Sequence, residues 1–252
     1  MISERIFARS FEAFWQELLP LLTPRFVALF NEAYETSLTE SGRLLGSLSI
    51  PDRVDRVDVI AEFAFRLARL AHQENVSFEA IGEQASLISK AESQALELIH
   101  RYEGGQPAEI VLLSPEEKNE GLRLCHRYPS LFGSFSEESH IEFCPRIPGA
   151  GFLDACEGDI SIGDCLVEVK TTTRKPSGQN LRQLIVYAAL DANVGSRRWK
   201  EFGIFNPRRG TLHKVEIDPL VLRVSGGKPA SDVFADLIVF LESNEPALER
   251  KF

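Results

Sequence analysis

The stretch "GDISIGDCLVEVKTT", residues 158–172, decides the fold of the second half of the chain. Two short apolar runs flank the dipeptide Gly163-Asp164. A two-residue loop that contains glycine is typical of a β-hairpin and fixes the register of its strands. The register predicted here places Asp159 directly opposite Glu168. Two carboxylates are therefore expected to face each other across an apolar hairpin.

The polar face of this hairpin predicts a metal site. Because side chains alternate along a strand, Lys170 shares the face of Asp159 and Glu168. Opposed like charges destabilise a hairpin, so we expect a cation to compensate them. Divalent ions such as Mg²⁺ bind one or two carboxylates and complete their shell with water and phosphate. Asp159 and Glu168 are thus candidate ligands, and Lys170 can stabilise charge on a phosphate.

A surface hairpin without a metal is the alternative interpretation. In the same register Glu157 lies opposite Lys170, and the two side chains would form a salt bridge. The helix predicted over residues 180–193 favours the metal site, because it places Gln183 and Tyr187 four residues apart on one face. Such a polar pair, following the hairpin after a short loop, suits contacts with phosphate or with the backbone.

Together, the hairpin and the helix resemble the RecB-like branch of the PD-(D/E)XK nuclease superfamily. In that family an Asp at a strand end, a [DE]-x-K motif on the paired strand and a downstream Q-x-x-x-Y helix form the catalytic core. Residues 151–190 match the three motifs in order. Applied to this sequence, the resemblance implies a catalytic set of Asp159, Glu168, Lys170, Gln183 and Tyr187.

The resemblance also implies the chemistry, which is metal-dependent hydrolysis of phosphodiester bonds. Asp159 and Glu168 would bind Mg²⁺, which Mn²⁺ can replace, and the backbone carbonyl of Val169 would complete the shell. One alternative ligand is Asp154, which stands in a G-x-x-D pattern and competes with Asp159; the hairpin register favours Asp159.

A helix before the core often carries an acid or a histidine in this family. Glu120 and His126 are the candidates, and both lie in a helix that the sequence predicts over residues 115–128. A surface position without a catalytic role is the alternative interpretation for each of them.

The fold implied by the resemblance is α/β (α+β), with a restriction-endonuclease-like core. Residues 106–252 would form this core, a mixed central sheet flanked by helices. Residues 1–105 show apolar spacing close to 3.6 and an acidic balance, which predicts a separate all-helical unit for a protein partner, a homodimer or regulation. Outside the hairpin, strands are expected around residues 140–144, 200–207 and 211–217, and a final helix over 230–243.

The charge distribution is compatible with nucleic acid as a partner, although the net charge is −9. Residues 170–214 contain ten Lys and Arg against two Asp and Glu. Basic clusters attract phosphate backbones without regard to sequence. The candidate phosphate contacts are Arg174, Lys175, Arg182, Arg208 and Arg209. DNA is the expected substrate, and the family resemblance suggests repair, recombination or defence against foreign DNA.

Two other functions stay open at the level of sequence. A non-catalytic subunit with the nuclease fold would bind nucleic acid or a protein partner. A purely structural α+β protein would keep the salt-bridged hairpin and would gain no stability from divalent metals. The chain has no apolar run of 18 residues and no basic-then-apolar leader, so we expect a cytoplasmic protein without a membrane partner.

Overall fold

A computed structural model describes residues 2–50, 56–102 and 111–243 of the protein. The helices in these ranges are α1 (Glu4–Arg9), α2 (Glu12–Leu18), α3 (Pro24–Tyr34), α4 (Val57–Gln73), α5 (Ala85–Tyr102), α6 (Pro115–Cys125), α7 (Tyr128–Phe132), α8 (Gly178–Asn193), α9 (Ile217–Val224) and α10 (Ala230–Ser243), with a 3-10 helix at Phe78–Glu83. None of these helices combines the length and the apolar character needed to cross a membrane.

The strands are β1 (Glu35–Ser37), β2 (Thr39–Glu40), β3 (Arg43–Leu44), β4 (Ile141–Phe143), β5 (Arg146–Ile147), β6 (Cys156–Glu157), β7 (Ile160–Ile162), β8 (Cys165–Val169), β9 (Glu201–Asn206) and β10 (Thr211–Glu216). Six of them form a central sheet in the order β1-β10-β9-β8-β7-β4. The pair β8 and β9 is parallel, with α8 as the crossover, whereas the other pairs are antiparallel. The predicted mixed sheet flanked by helices is therefore confirmed.

The hairpin β7-β8 has the register that the sequence predicts. Ile160 pairs with Val167 and Ser161 with Leu166. Gly163 has a φ of +58°, a left-handed conformation that glycine adopts without steric cost. The turn residue thus sets the pairing of the strands, as its sequence indicated.

Two apolar clusters lie on the opposite faces of the sheet. Leu166 of β8 packs in the cluster that contains Leu184 of α8. Its neighbour Val167 packs in the other cluster, which contains Leu124 of α6 and Phe63 of α4. Alternation along β8 therefore directs even-numbered side chains towards α8, and this places Glu168 on the same face of the sheet as that helix.

The N-terminal part is not helical throughout, which corrects the sequence-based expectation. Strand β1 pairs antiparallel with β10 and forms the edge of the central sheet, and β2 pairs with β3. These strands have two or three residues, too few to give an apolar period. For β1, pairing with a partner about 175 residues further along the chain decides the conformation, whereas β2 and β3 pair locally.

Described residues from the first hundred positions contribute to both apolar clusters. Phe7 and Trp15 share one cluster with Leu184, and Phe63 shares the other with Phe205. The predicted division at residues 105 and 106 falls within 103–110, outside the described residues. Helices that precede residue 103 and helices that follow residue 110 pack on the same central sheet.

Candidate active site

The two hairpin acids lie at the end of the β7-β8 ladder. Asp159 directly precedes β7, and its Oδ2 accepts a hydrogen bond of 2.7 Å from the backbone N–H of Val169. Glu168 lies within β8 and is 1 % exposed. Burial, and after it the charge of Glu168, raises the pKa of Asp159 to about 7. The two carboxylates therefore repel each other, as their predicted positions on opposite strands of the hairpin implied.

Lys170 joins the acids to helix α8. Its Nζ donates to Glu168 Oε1 at 2.6 Å and to Gln183 Oε1 at 3.1 Å. The Gln183 amide then donates from Nε2 to Tyr187 Oη at 2.8 Å. The residues of the implied catalytic set thus lie together, linked by hydrogen bonds or by the mutual repulsion of the two acids.

The alternative salt bridge between Glu157 and Lys170 does not form. Glu157 ends β6 and pairs with Arg146 in a separate two-stranded sheet, while the lysine binds Glu168. The continuous strand assumed in the sequence-based register is interrupted between β6 and β7 at residues 158 and 159. Positions beyond this break no longer follow the hairpin pairing.

Helix α1 adds an acid that sequence reasoning missed. Glu4 is buried, and its Oε1 accepts hydrogen bonds from Gln183 Nε2 at 3.3 Å and from Tyr187 Oη at 3.1 Å. Its only local signal is its place in the first turn after the N-cap Ser3, which is a common position for acids. The sequence does not show that α1 packs against α8, since the partners are 179 residues apart.

Arg5 is a second contribution of α1 to this region. Burial opposes the charged form of its guanidinium, but the carboxylates of Glu168 and Asp159 raise its pKa above the usual value. The Arg5 side chain is 61 % exposed, whereas that of Lys170 is 23 % exposed. Arg5 is therefore the cation of this cluster with more surface available to a ligand.

The oxygen atoms of the pair suit a hard divalent cation. Glu168 Oε2 is buried and has no hydrogen-bond partner, which is costly for a carboxylate unless another group compensates it. Among the described residues, no three or more His, Cys, Asp or Glu side chains are grouped to hold an ion. Mg²⁺ needs no such cage, because it keeps several waters and binds through one or two carboxylates. The pair therefore fits Mg²⁺ or Mn²⁺.

The other predicted acids and the histidine do not join this network. Asp154 is exposed, and its backbone N–H donates to the Ile2 carbonyl at 3.2 Å. Glu120 lies in α6 and binds Arg208 and not the hairpin. His126 follows α6, and its buried Nε2 has no partner. Since α6 packs on the sheet face opposite α8, neither Glu120 nor His126 lies on the face of the carboxylate pair.

Three of the predicted phosphate contacts line one cleft, and a fourth is buried. Lys175, Arg174 and Arg182 line a cleft of about 830 Å³ that begins at Lys170. Arg208, in contrast, is 1 % exposed and forms an ion pair with Glu120, so its burial leaves it no surface to offer to a phosphate.

Glu35 binds two of the predicted cations. Its Oε1 contacts Arg209 Nη2 at 2.6 Å, and its Oε2 contacts the Lys175 ammonium. Hydrogen bonds to both cations lower the pKa of Glu35, although its burial opposes this shift. The positive charge available in this segment is therefore smaller than the count of Lys and Arg indicated.

No family model matches this chain, and no curated protein is significantly similar to it. Its function must therefore be argued from the geometry and the chemistry of the site.

Proposed function

We propose that the protein is a metal-dependent nuclease that hydrolyses phosphodiester bonds in DNA. The observation that carries the proposal is the buried carboxylate pair of Asp159 and Glu168, joined to Lys170 and to the polar face of α8. A protein without a cation or a phosphate to bind gains no stability from surplus negative charge at a buried position.

The pair is the proposed metal site. Asp159 and Glu168 would hold Mg²⁺ or Mn²⁺, and the Val169 carbonyl is a further candidate ligand. When bound, such an ion polarises a phosphate and lowers the pKa of water. Metal binding requires both carboxylates to be deprotonated, so the raised pKa of Asp159 makes the affinity for the ion depend on pH near neutrality.

Lys170 would stabilise the negative charge that develops on the phosphate. Gln183 fixes the ammonium by accepting one of its hydrogen bonds through Oε1. The Gln183 amide is in turn oriented by Tyr187 and Glu4. Burial and then the charge of Glu168 raise the pKa of Tyr187, so its hydroxyl stays protonated and donates to Glu4. This chain of bonds would keep the lysine in one position before a substrate binds.

Cleavage assays on wild type and Lys170→Ala test the proposal. Single-stranded, double-stranded and circular DNA, and RNA, would each be incubated with Mg²⁺, Mn²⁺ or EDTA. We expect metal-dependent cleavage by the wild type and a loss of roughly a hundred- to thousandfold in Lys170→Ala, with binding largely retained. The matched control is Lys200→Ala, because the Lys200 side chain is 80 % exposed. Equal loss of binding and cleavage would contradict the assigned role of Lys170.

Metal titration of two Asp→Asn variants tests the ligand assignment. Asp159→Asn should weaken Mn²⁺ binding more than Asp154→Asn, because Asp159 is next to Glu168 and Asp154 is exposed. The reverse ranking would reject Asp159 as the ligand. A wild type that binds no Mn²⁺ and cleaves no substrate would favour the non-catalytic alternative.

A further inference from the structure

The cleft beside Lys170 is bounded by the N-terminal helices. We call it the Lys170 cleft, the space between the segment 172–180 on one side and helices α2 and α3 on the other. Ile204 and Asn206 of β9 also line it, together with Lys170. Its volume is about 830 Å³, within the range of roughly 300–1,000 Å³ that suits ligands of drug size. A few nucleotides of one strand fill such a volume.

Two arginines bring positive charge to the cleft, and Glu12, which also lines it, interacts electrostatically with Arg182. Arg174 is exposed, and its side chain forms no ion pair with any residue in the described ranges. The Arg182 guanidinium carbon lies 5.6 Å from the centroid of the Trp15 ring. Arg182 Nε is buried without a hydrogen-bond partner. An anion in the cleft would pair with the exposed Arg174 guanidinium and add negative charge near Arg182.

The first turn of α8 adds backbone donors to the same wall. Ser177 is the N-cap of this 16-residue helix, and Asn180 already donates its backbone N–H to the Ser177 carbonyl. The helix begins at Gly178, which also lines the cleft. Backbone N–H groups at a helix start favour phosphate, and here they lie beside the two arginines.

The cleft is narrow where α8 begins. A methyl group added to Gly178 would lie 3.7 Å from Val27 Cγ2 and 3.8 Å from Leu22 Cγ. The two walls are thus separated by about one methyl group at this point. Both strands of an intact double helix would not enter a space of this size, because α2 and α3 close one side of it.

The lining favours contact with the sugar-phosphate backbone over contact with bases. Trp15 is the aromatic residue among the described lining residues, and it is fully buried. Base stacking needs an exposed aromatic face, so the affinity is expected to come from phosphate contacts. Such binding is independent of base sequence and depends strongly on salt.

We infer that the Lys170 cleft binds one strand of a nucleic acid by its phosphates, and that helices α2 and α3 exclude an intact duplex. The inference rests on the proposed nuclease function and names its substrate class, which is single strands and frayed ends. It also gives part of the N-terminal segment a role as one wall of the substrate site.

Binding in EDTA tests the inference without cleavage. Fluorescence anisotropy would compare a short labelled single strand of DNA, its RNA equivalent and a blunt hairpin duplex of DNA. We expect at least one single strand to bind roughly tenfold or more tightly than the duplex. For single strands the slope of log K against log salt is about −0.7 for each phosphate contacted. The comparison of DNA with RNA identifies the sugar that the cleft accepts.

Arg174→Gln is the variant that tests the cleft itself. Its salt slope should decrease in magnitude by about 0.7, as expected for the loss of one phosphate contact. Arg223→Gln is the matched control, because Arg223 is exposed on α9 and does not line the cleft. An unchanged slope in Arg174→Gln, equal affinity for duplex and single strand, or no binding of either would overturn the inference.

The two proposals fail in different ways. A wild type that selects single strands and cleaves nothing with Mg²⁺ or Mn²⁺ would reject the nuclease and retain the cleft assignment. A wild type that cleaves with metal but binds duplex as tightly as single strands would reject the cleft assignment and retain the nuclease.

Discussion

Two glutamates of this protein are equally buried but have opposite surroundings. Glu120 and Glu168 are each 1 % exposed, and each accepts a hydrogen bond of 2.6 Å from a cation. Glu120 uses both oxygens, since Oε1 binds Arg208 and Oε2 binds Arg123 at 3.0 Å. Glu168 binds Lys170 through Oε1 only, and its Oε2 has no partner. Glu120 therefore has two cationic partners, whereas Glu168 has one and lies beside a second carboxylate, that of Asp159.

The difference separates a structural ion pair from the proposed metal site. The Glu120 cluster joins α6 to the turn after β9, and both oxygens of its carboxylate are paired with arginines of the protein. The Glu168 cluster includes Asp159 and Glu4, and its negative charges exceed its nearby positive ones. A chain selected for stability alone has no reason to keep this imbalance. The acid-rich cluster is therefore where we expect an external cation, and the following experiments test that distinction.

The largest effect is expected when the same substitution is made in both clusters. Glu168→Gln should lower cleavage roughly a thousandfold or more, because it removes a charge from the proposed metal site. Glu120→Gln should leave the cleavage rate of the folded protein unchanged. Rate assays at matched concentrations of folded protein would show this. Similar losses in both variants would mean that the clusters do not differ in function.

Loss of Arg208 is expected to affect stability and not catalysis. Arg208→Ala leaves the Glu120 carboxylate buried with one partner fewer, which should reduce the free energy of unfolding by about 3–5 kcal/mol. The control is Arg123→Ala, because the Arg123 side chain is 51 % exposed and such pairs contribute about 1 kcal/mol or less. Urea unfolding would measure both. A small effect of Arg208→Ala would show that the buried ion pair does not stabilise the fold.

A smaller effect is expected for Arg5, the exposed cation of the acid-rich cluster. Arg5→Gln should lower cleavage about tenfold, less than the hundredfold or more expected for a buried, fixed donor. It should also lower the free energy of unfolding slightly, because the charge of Arg5 interacts favourably with Glu168 and Asp159. Arg9→Gln on the same helix is the control. Separate measurements of kcat and KM would show whether Arg5 acts on bound substrate, and unchanged kinetics would contradict its proximity to the reacting phosphate.

A separate effect, on stability and not on cleavage, is a pH dependence that comes from Asp159. Its folded-state pKa is about 7, above the ordinary value of 3.8, so the folded protein binds the proton more tightly than the unfolded chain. In EDTA, Asp159 should therefore make the free energy of unfolding fall as pH rises from about 4 to 7, by at most about 1.4 kcal/mol per pH unit. Above pH 7 its contribution should level off. Urea unfolding of Asp159→Asn should lack this component, and an identical pH profile would contradict the raised pKa.

Local sequence was sufficient to predict the parts of the fold that depend on neighbours in the chain. The turn at Gly163 and the alternation along β8 predicted the hairpin register, and the spacing of Gln183 and Tyr187 predicted their common face. Each of these depends on residues within one turn or one strand pair. The predicted helix over 230–243 also agrees with α10.

The missed features depend on contacts between distant parts of the chain. Glu4 joins the site because α1 packs on α8, and β1 is a strand because it pairs with β10. The burial of Arg208 follows from its pairing with Glu120, 88 residues away. Neither composition nor periodicity predicts such long-range pairings. The sequence therefore could not show that Arg208 forms a buried ion pair and does not bind phosphate.

The hydrogen bonds between α1 and α8 also link the proposed site to the integrity of the whole chain. Glu4 and Gln183 are separated by 179 positions, and bringing such distant parts together costs conformational entropy. The network is therefore complete only when α1 is docked on α8. A chain whose N-terminal helix is undocked would lack the full network, so the proposed cleavage activity would report on this docking.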